Sequence, residues 1–397
     1  MRFVTISIAA VSGKKNPAPG VPPSRFGAER LYRDATSMAS SSVANAFFGV
    51  AFWAITAKIF PPQQLGVMTA VLAVIVSVST VVASGVGDAY TALLPAAGSD
   101  RPSLYRRGQR IFYGIALVSG CIAAFCTTRW LPEMRGSIGV AVLVAVGVVV
   151  CSVMTLQNST LVALGRASWL PAANIGASAL KVLALLLLAA TVTWHPVELS
   201  VVVSAFAVIA VLQPMISRTI YSDKELPPAT VPEGYLISRF NRFVAQTLLS
   251  SALSTGLLMV TPFLVTVFST PKQGALFSLS LAIVSALDLI GAALANSLVV
   301  HASSAPDEAH AMTRRIMVRA VLISVVGGLG LVAFAPTALR LLNPEYGALG
   351  AFRVIAVLAA ASVPGCVYRV WSALQRARRN MVIPLALNAI SVIVLVV

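Results

Sequence analysis

Carboxylates are scarce in this chain: 13 Asp and Glu stand against 29 Lys and Arg, giving a net charge of +16. No two carboxylates stand at a spacing suited to paired acid and base work. The three His (His195, His301, His310) lie at the ends of apolar runs or between them, without partners in sequence. Cysteine is equally thin. Cys121, Cys126, Cys151 and Cys366 all fall inside apolar runs and show no metal-ligand spacing, so they are expected to act as small packing residues. No Gly-rich phosphate loop and no nucleophile motif is present, and no polar stretch is long enough to form an aqueous catalytic domain. These absences argue against an enzyme, a metal centre and a bound organic cofactor. Coupling to an ion or to the membrane potential stays open.

Charge of either sign is also low, at 11% of residues against about a quarter in soluble domains, while 58% are hydrophobic. A helix needs about 20 apolar residues to cross hydrocarbon, and the sequence holds ten such runs plus a last one that stops with the chain. They lie near 36–57, 67–87, 111–128, 138–157, 169–193, 197–217, 243–268, 273–299, 316–335, 350–371 and 381–397. The expected fold class is therefore all-α integral membrane, with about 11 transmembrane helices present and 12 or more expected. The abrupt apolar end at Val397 fits a missing twelfth span.

Lys and Arg accumulate in cytoplasmic loops. With the N-terminus inside, 22 of them fall on the cytoplasmic side, including Arg25, Arg30, Arg33, Arg101, Arg106, Arg107, Arg110, Arg239, Arg242, Arg376, Arg378 and Arg379. Six fall outside (Lys58, Arg129, Arg135, Lys272, Arg340, Arg353), and Lys181 alone is left within a span. This asymmetry predicts a multi-pass protein of the cytoplasmic membrane with a cytoplasmic N-terminus. It also accounts for the positive charge without nucleic acid, since the basic residues are dispersed over separate loops; membrane lipid is the expected partner.

The same punctuation occurs twice. Phe60-Pro-Pro-Gln-Gln-Leu-Gly66 returns as Phe268-Ser-Thr-Pro-Lys-Gln-Gly274, and Asp88 and Asn296 each stand 22 residues after the Gly. Leu131-Pro-Glu is answered by Leu342-Asn-Pro-Glu, and Leu164-Gly-Arg-Ala by Leu374-Gln-Arg-Ala. A duplicated apolar unit of this size points to a transporter of two lobes rocking about a shared cavity. Two parallel six-helix repeats are expected. Residues 1–34 would be a basic, disordered cytoplasmic tail, 35–217 the N-terminal lobe, 218–242 a cytoplasmic linker and 243–397 a C-terminal lobe lacking its end.

Ionisable groups inside spans mark candidate sites, because they must face protein or water. Lys181 lies midway along the fifth span. Asn174, Ser178 and Lys181 stand at i, i+4 and i+7, one face of a helix, and suggest a cavity wall whose ammonium attracts a phosphate or diphosphate. The plainer alternative is a structural pair of Lys181 with Asp288, which lies in the eighth span. Asn45, Gly49 and Thr56 form a stripe on the first span that suits a cavity or close helix packing alike, and Asn45 joins the substrate-binding candidates. Asp88, Arg110, Arg242 and Arg319 sit where snorkelling to the interface accounts for them.

The run Ser40-Ser-Ser-Val-Ala-Asn45, then Phe52-Trp53, Ala57-Lys-Ile-Phe60, Gln64-Leu-Gly66 and Ser84-Gly-Val-Gly87 resembles the first two helices of polysaccharide-biosynthesis flippases of the O-antigen type. Ala295-Asn-Ser-Leu-Val-Val and Leu342-Asn-Pro-Glu-Tyr-Gly347 are similar to that family's later segments, and the resemblance covers most of residues 35–380. It implies the multidrug/oligosaccharidyl-lipid/polysaccharide superfamily fold, two six-helix bundles set in a V, and a flippase that moves a polyprenyl-(di)phosphate-linked oligosaccharide by alternating access. It also implies partners among the glycosyltransferases and polymerase of a surface-glycan pathway. In that picture cavity cations receive the lipid diphosphate, and Lys181 is the matching residue here. Two departures stand out: few cavity cations and an absent last helix. The alternatives are a drug or cation antiporter of the same superfamily, for which the first span lacks an acid, and a non-transporting scaffold or glycosyltransferase partner, for which the outer loops are short.

Overall fold

A computed structural model describes residues 47–191, 194–222, 233–285, 287, 309–377 and 387. Described from Phe47, helix α1 (Phe47–Ile59) stops ahead of two prolines. Extended Pro61 then leads into α2 (Pro62–Leu93), with Pro62 at the first helical position, where its missing N–H costs nothing. After two short 3₁₀ turns comes α3 (Arg101–Trp130), which ends because Leu131, preceding Pro132, is driven extended. The side chain of Ser137 caps α4 (Ile138–Ala163) by accepting from the Val140 N–H. Helices α5 (Leu170–Thr191) and α6 (Pro196–Ser222) complete the first half.

In the second half, α7 (Glu233–Ser251) and α8 (Leu257–Phe268) form one span joined by a π-helical turn, Ala252–Gly256. Then follow α9 over residues 271–285, α10 (Ala309–Leu342), the short α11 (Glu345–Ala348) and α12 (Ala351–Ala377). Among the described residues eight helices are long and apolar enough to cross a membrane, with α1 a shorter apolar one. The protein is an all-helical membrane fold, as its composition requires.

Several helices outrun the apolar stretches that announce them. Helix α3 starts at Arg101 rather than near 111, α7 at Glu233 rather than 243, and α10 at Ala309 rather than 316. Their added turns carry arginine, which extends a helix into the headgroup region without entering hydrocarbon. The polar stretch expected at 218–242 is itself helical over 218–222 and 233–242. The tail 1–34, Asn45, Asp288, Asn296 and nearly all of the eleventh span lie outside the described residues.

The repeat is visible in where helices stop and start: α1 ends at Ile59 and α8 at Phe268, α2 begins at Pro62 and α9 at residue 271, α3 ends at Trp130 and α10 at Leu342. One echo diverges. At the end of α4 the Arg166 N–H donates to the Leu161 carbonyl and the Gly165 N–H to that of Val162, with Gly165 at φ +69°, a Schellman stop. Gln375 takes the corresponding place in Leu374-Gln-Arg-Ala, and there α12 runs on to Ala377.

Helix α2 is the spine of the bundle, packed against α3, α4, α7 and α8. Three apolar cores follow its length. Near its C-terminal end Tyr90, Tyr105, Phe112, Ile216 and Phe240 cluster; Val71, Ile75, Val144, Val148 and Phe263 fill the middle. At the N-terminal end Ala57 and Leu65 meet Ala275, Leu276, Leu339, Tyr346 and Ile355, so first-half and second-half helices share one core there. These two ends define a Phe60 face and a Tyr90 face of the protein.

Candidate functional site

A cavity of about 270 Å³ opens within the first half, walled by α2, α4, α5 and α6. Asn174, Ser178 and Lys181 line it together, in keeping with their i, i+4, i+7 spacing on α5. From α4 come Cys151, Met154 and Thr155, from α2 Ser79 and Thr80, and from α6 Val201, Ser204 and Ala205. Two further candidates, Asn45 and Asp288, lie outside the described residues. Asp88, Arg110, Arg242 and Arg319 are exposed and away from the cavity.

The opposite wall carries a stripe that the sequence also displays. Cys151, Thr155 and Asn158 on α4 repeat the i, i+4, i+7 spacing of α5. The two stripes run antiparallel: Asn158 Nδ2 donates to Asn174 Oδ1 at 3.4 Å at one end, and Cys151 and Lys181 line the same cavity at the other. Cys151, expected as a small packing residue, stands on the cavity wall. Beside it, the Lys181 ammonium sits 4.6 Å from the centroid of the buried Phe52 ring, on α1, a cation–π contact that offsets part of its desolvation.

The hydrogen-bonding groups of the cavity divide into hydroxyl oxygens that can accept and N–H groups that donate. Ser79 donates to the Val148 carbonyl at 3.0 Å, Thr80 to Val76 at 2.8 Å, Thr155 to Cys151 at 2.9 Å and Ser204 to Val201 at 2.9 Å. These hydroxyls spend their protons on backbone oxygens. The Lys181 ammonium brings three N–H donors, and Asn174, whose Oδ1 is already engaged, brings its Nδ2. Among the described residues the ion pairs are His195 with Glu198 and Lys272 with Glu345, and neither involves Lys181. It is at Lys181, with Asn174 beside it, that the cavity can receive an anion.

Two neighbouring features lie outside this cavity. Gln157 Nε2 donates to Gln213 Oε1 at 2.9 Å, tying α4 to α6 toward the Tyr90 face. A larger concavity of about 540 Å³, between α1, α9 and α10, is walled by apolar side chains such as Trp53, Leu279, Leu331 and Phe334 and offers shape without chemistry. His195, partnerless in sequence, pairs with Glu198 at 2.9 Å.

No model of a known protein family matches the sequence, and no curated protein sequence matches it. Solved structures do match the fold. A multidrug resistance MATE family transporter of the MOP superfamily, in an inward-facing conformation, is 13% identical with a TM-score of 0.60, over 91% of this chain and 88% of that one. The lipid II flippase MurJ, in an inward closed conformation, is 11% identical with a TM-score of 0.70, over 91% of this chain and 79% of that one. At such identities the likeness speaks for architecture alone: this chain has the fold shared by MATE transporters and the MurJ flippase, the fold that the sequence resemblance implied.

Proposed function

We propose that the protein is a flippase that moves a polyprenyl-(di)phosphate-linked oligosaccharide across the cytoplasmic membrane by alternating access, with the Phe60 face outside and the Tyr90 face toward the cytoplasm. The observation that carries this reading is Lys181: an ammonium with three N–H donors lining a cavity within the membrane span, beside Asn174. An ammonium at the membrane midplane costs about 3 kcal/mol even on permissive insertion scales, and a phosphate would offset that cost. A volume of about 270 Å³ lies below the usual range of ligand pockets, so the cavity suits the charged part of the head and leaves the glycan outside.

An antiporter of organic cations would need an acid where this cavity has Lys181, and a scaffold would need no cavity donor at all. Reconstituted vesicles carrying a fluorescent polyprenyl-diphosphate glycan test the proposal. Export of the label by the wild type and its loss in Lys181→Ala, at unchanged protein level, is the expected result; uptake of organic cations with no movement of the lipid would overturn it.

A further inference from the structure

A titratable pair stands apart from the Lys181 cavity, at the start of α6. His195 Nδ1 lies 2.9 Å from Glu198 Oε1, and the pair is almost sealed, with His195 7% and Glu198 0% exposed. His195 closes the first turn of α6, its carbonyl accepting from the Leu199 N–H at 3.1 Å, which places Glu198 in the first turn, where the helix dipole favours a carboxylate. The second carboxylate oxygen, Oε2, is buried without a hydrogen-bond partner. His195 also has φ +49°, the one left-handed non-glycine among the described residues. Trp194 stands edge-on to the imidazole, ring centroids 5.0 Å apart, and its indole fills the space beside Gly139, where a Cβ would lie 2.9 Å from it.

A purely structural ion pair would have its oxygens satisfied, since an unpaired buried oxygen is costly. Here one proton decides the charge of a dry site. With a neutral imidazole and a carboxylate the pair carries −1; uptake of one proton makes an imidazolium–carboxylate pair of zero net charge, and no bond is otherwise made or broken. His195 is the charged group in contact with Glu198; Lys58 on α1, Arg129 on α3, and Glu133 and Arg135 before α4 are all exposed. Along α6, Val201 and Ser204 follow Glu198 within two turns and line the Lys181 cavity.

We propose that His195 and Glu198 form a proton-binding site served from the outer compartment, whose occupancy fixes the start of α6 against α4 and so the α6 wall of the cavity. The assignment of a side rests on the orientation proposed above; the site itself does not.

Purified protein in lipid nanodiscs, titrated with acid while tryptophan emission is followed, tests it. Subtracting the Trp194→Phe signal isolates Trp194, which an adjacent imidazolium quenches, and this comparison leaves the pair intact. Quenching by a single proton is expected, absent in His195→Gln and weakened in Glu198→Gln. A Trp194 component that ignores pH, or one that titrates identically in Glu198→Gln, would overturn the site. The same variant in the flipping assay, with outside pH varied, tests the coupling: a pH profile unchanged from the wild type would remove the link to the cavity. A wild type that flips no glycolipid yet shows the Trp194 titration would remove the flippase reading and leave the proton site standing.

Discussion

The backbone carbonyl of Pro271, at the start of α9, lies so close to Gly66, near the start of α2, that any side chain there would collide with it. The two residues belong to the two copies of the repeated Phe-to-Gly motif, which therefore meet each other at the Phe60 face. Gly66→Ala should force α2 and α9 apart and cost about 1–3 kcal/mol, the usual penalty of overpacking. Gly49→Ala, where a Cβ would meet nothing within 4 Å, should be neutral or stabilising. Thermal denaturation in detergent checks both; equal melting temperatures for the two variants would contradict the contact.

Cysteine chemistry reports on the cavity. Cys151 lines it and Cys121 faces outward. Inorganic pyrophosphate should slow alkylation of Cys151 by a small maleimide and leave Cys121 unaffected, as measured by mass spectrometry of the labelled peptides. Protection should vanish in Lys181→Ala. Equal protection of both cysteines would remove the anion site.

The interhelical amides are a structural matter. Gln157 is 3% exposed and its Nε2 holds Gln213. Gln157→Ala takes from Gln213 Oε1 its donor on α4 and should destabilise by about 1–3 kcal/mol, with flipping per folded molecule unchanged. A normal melting temperature would show the bond to be dispensable.

Orientation can be tested without function. A cysteine at Gln64, exposed at the start of α2, should react with an impermeant thiol reagent in intact cells, whereas one placed between Ser222 and Val231 should not. The reverse pattern would invert the assignment of faces.

The membrane class, the helix order and the duplication were legible in the sequence because apolar length, Pro and Gly act locally. So was the α5 face, since Asn174, Ser178 and Lys181 differ sharply from the Leu and Ala around them. The α4 stripe was written just as plainly, in Cys151, Thr155 and Asn158, but Cys and Thr are ordinary in apolar helices and only the facing wall gives them meaning. Phe52 beneath Lys181 and Pro271 against Gly66 are contacts between helices, beyond any local signal. Glu198 was hidden differently: three residues from His195 it reads as a helix start, and only burial makes the two a pair.

The most direct test of the account compares Lys181→Ala, Lys181→Arg and the double variant Lys181→Ala with Asp288→Ala for glycolipid flipping and protein abundance together. If Lys181 receives the diphosphate, Lys181→Ala abolishes flipping at normal abundance, Lys181→Arg keeps part of it because the charge remains while the geometry changes, and the double variant stays inactive. Low abundance in Lys181→Ala, with both abundance and flipping restored in the double variant, would contradict the account and make Lys181 a structural partner of Asp288.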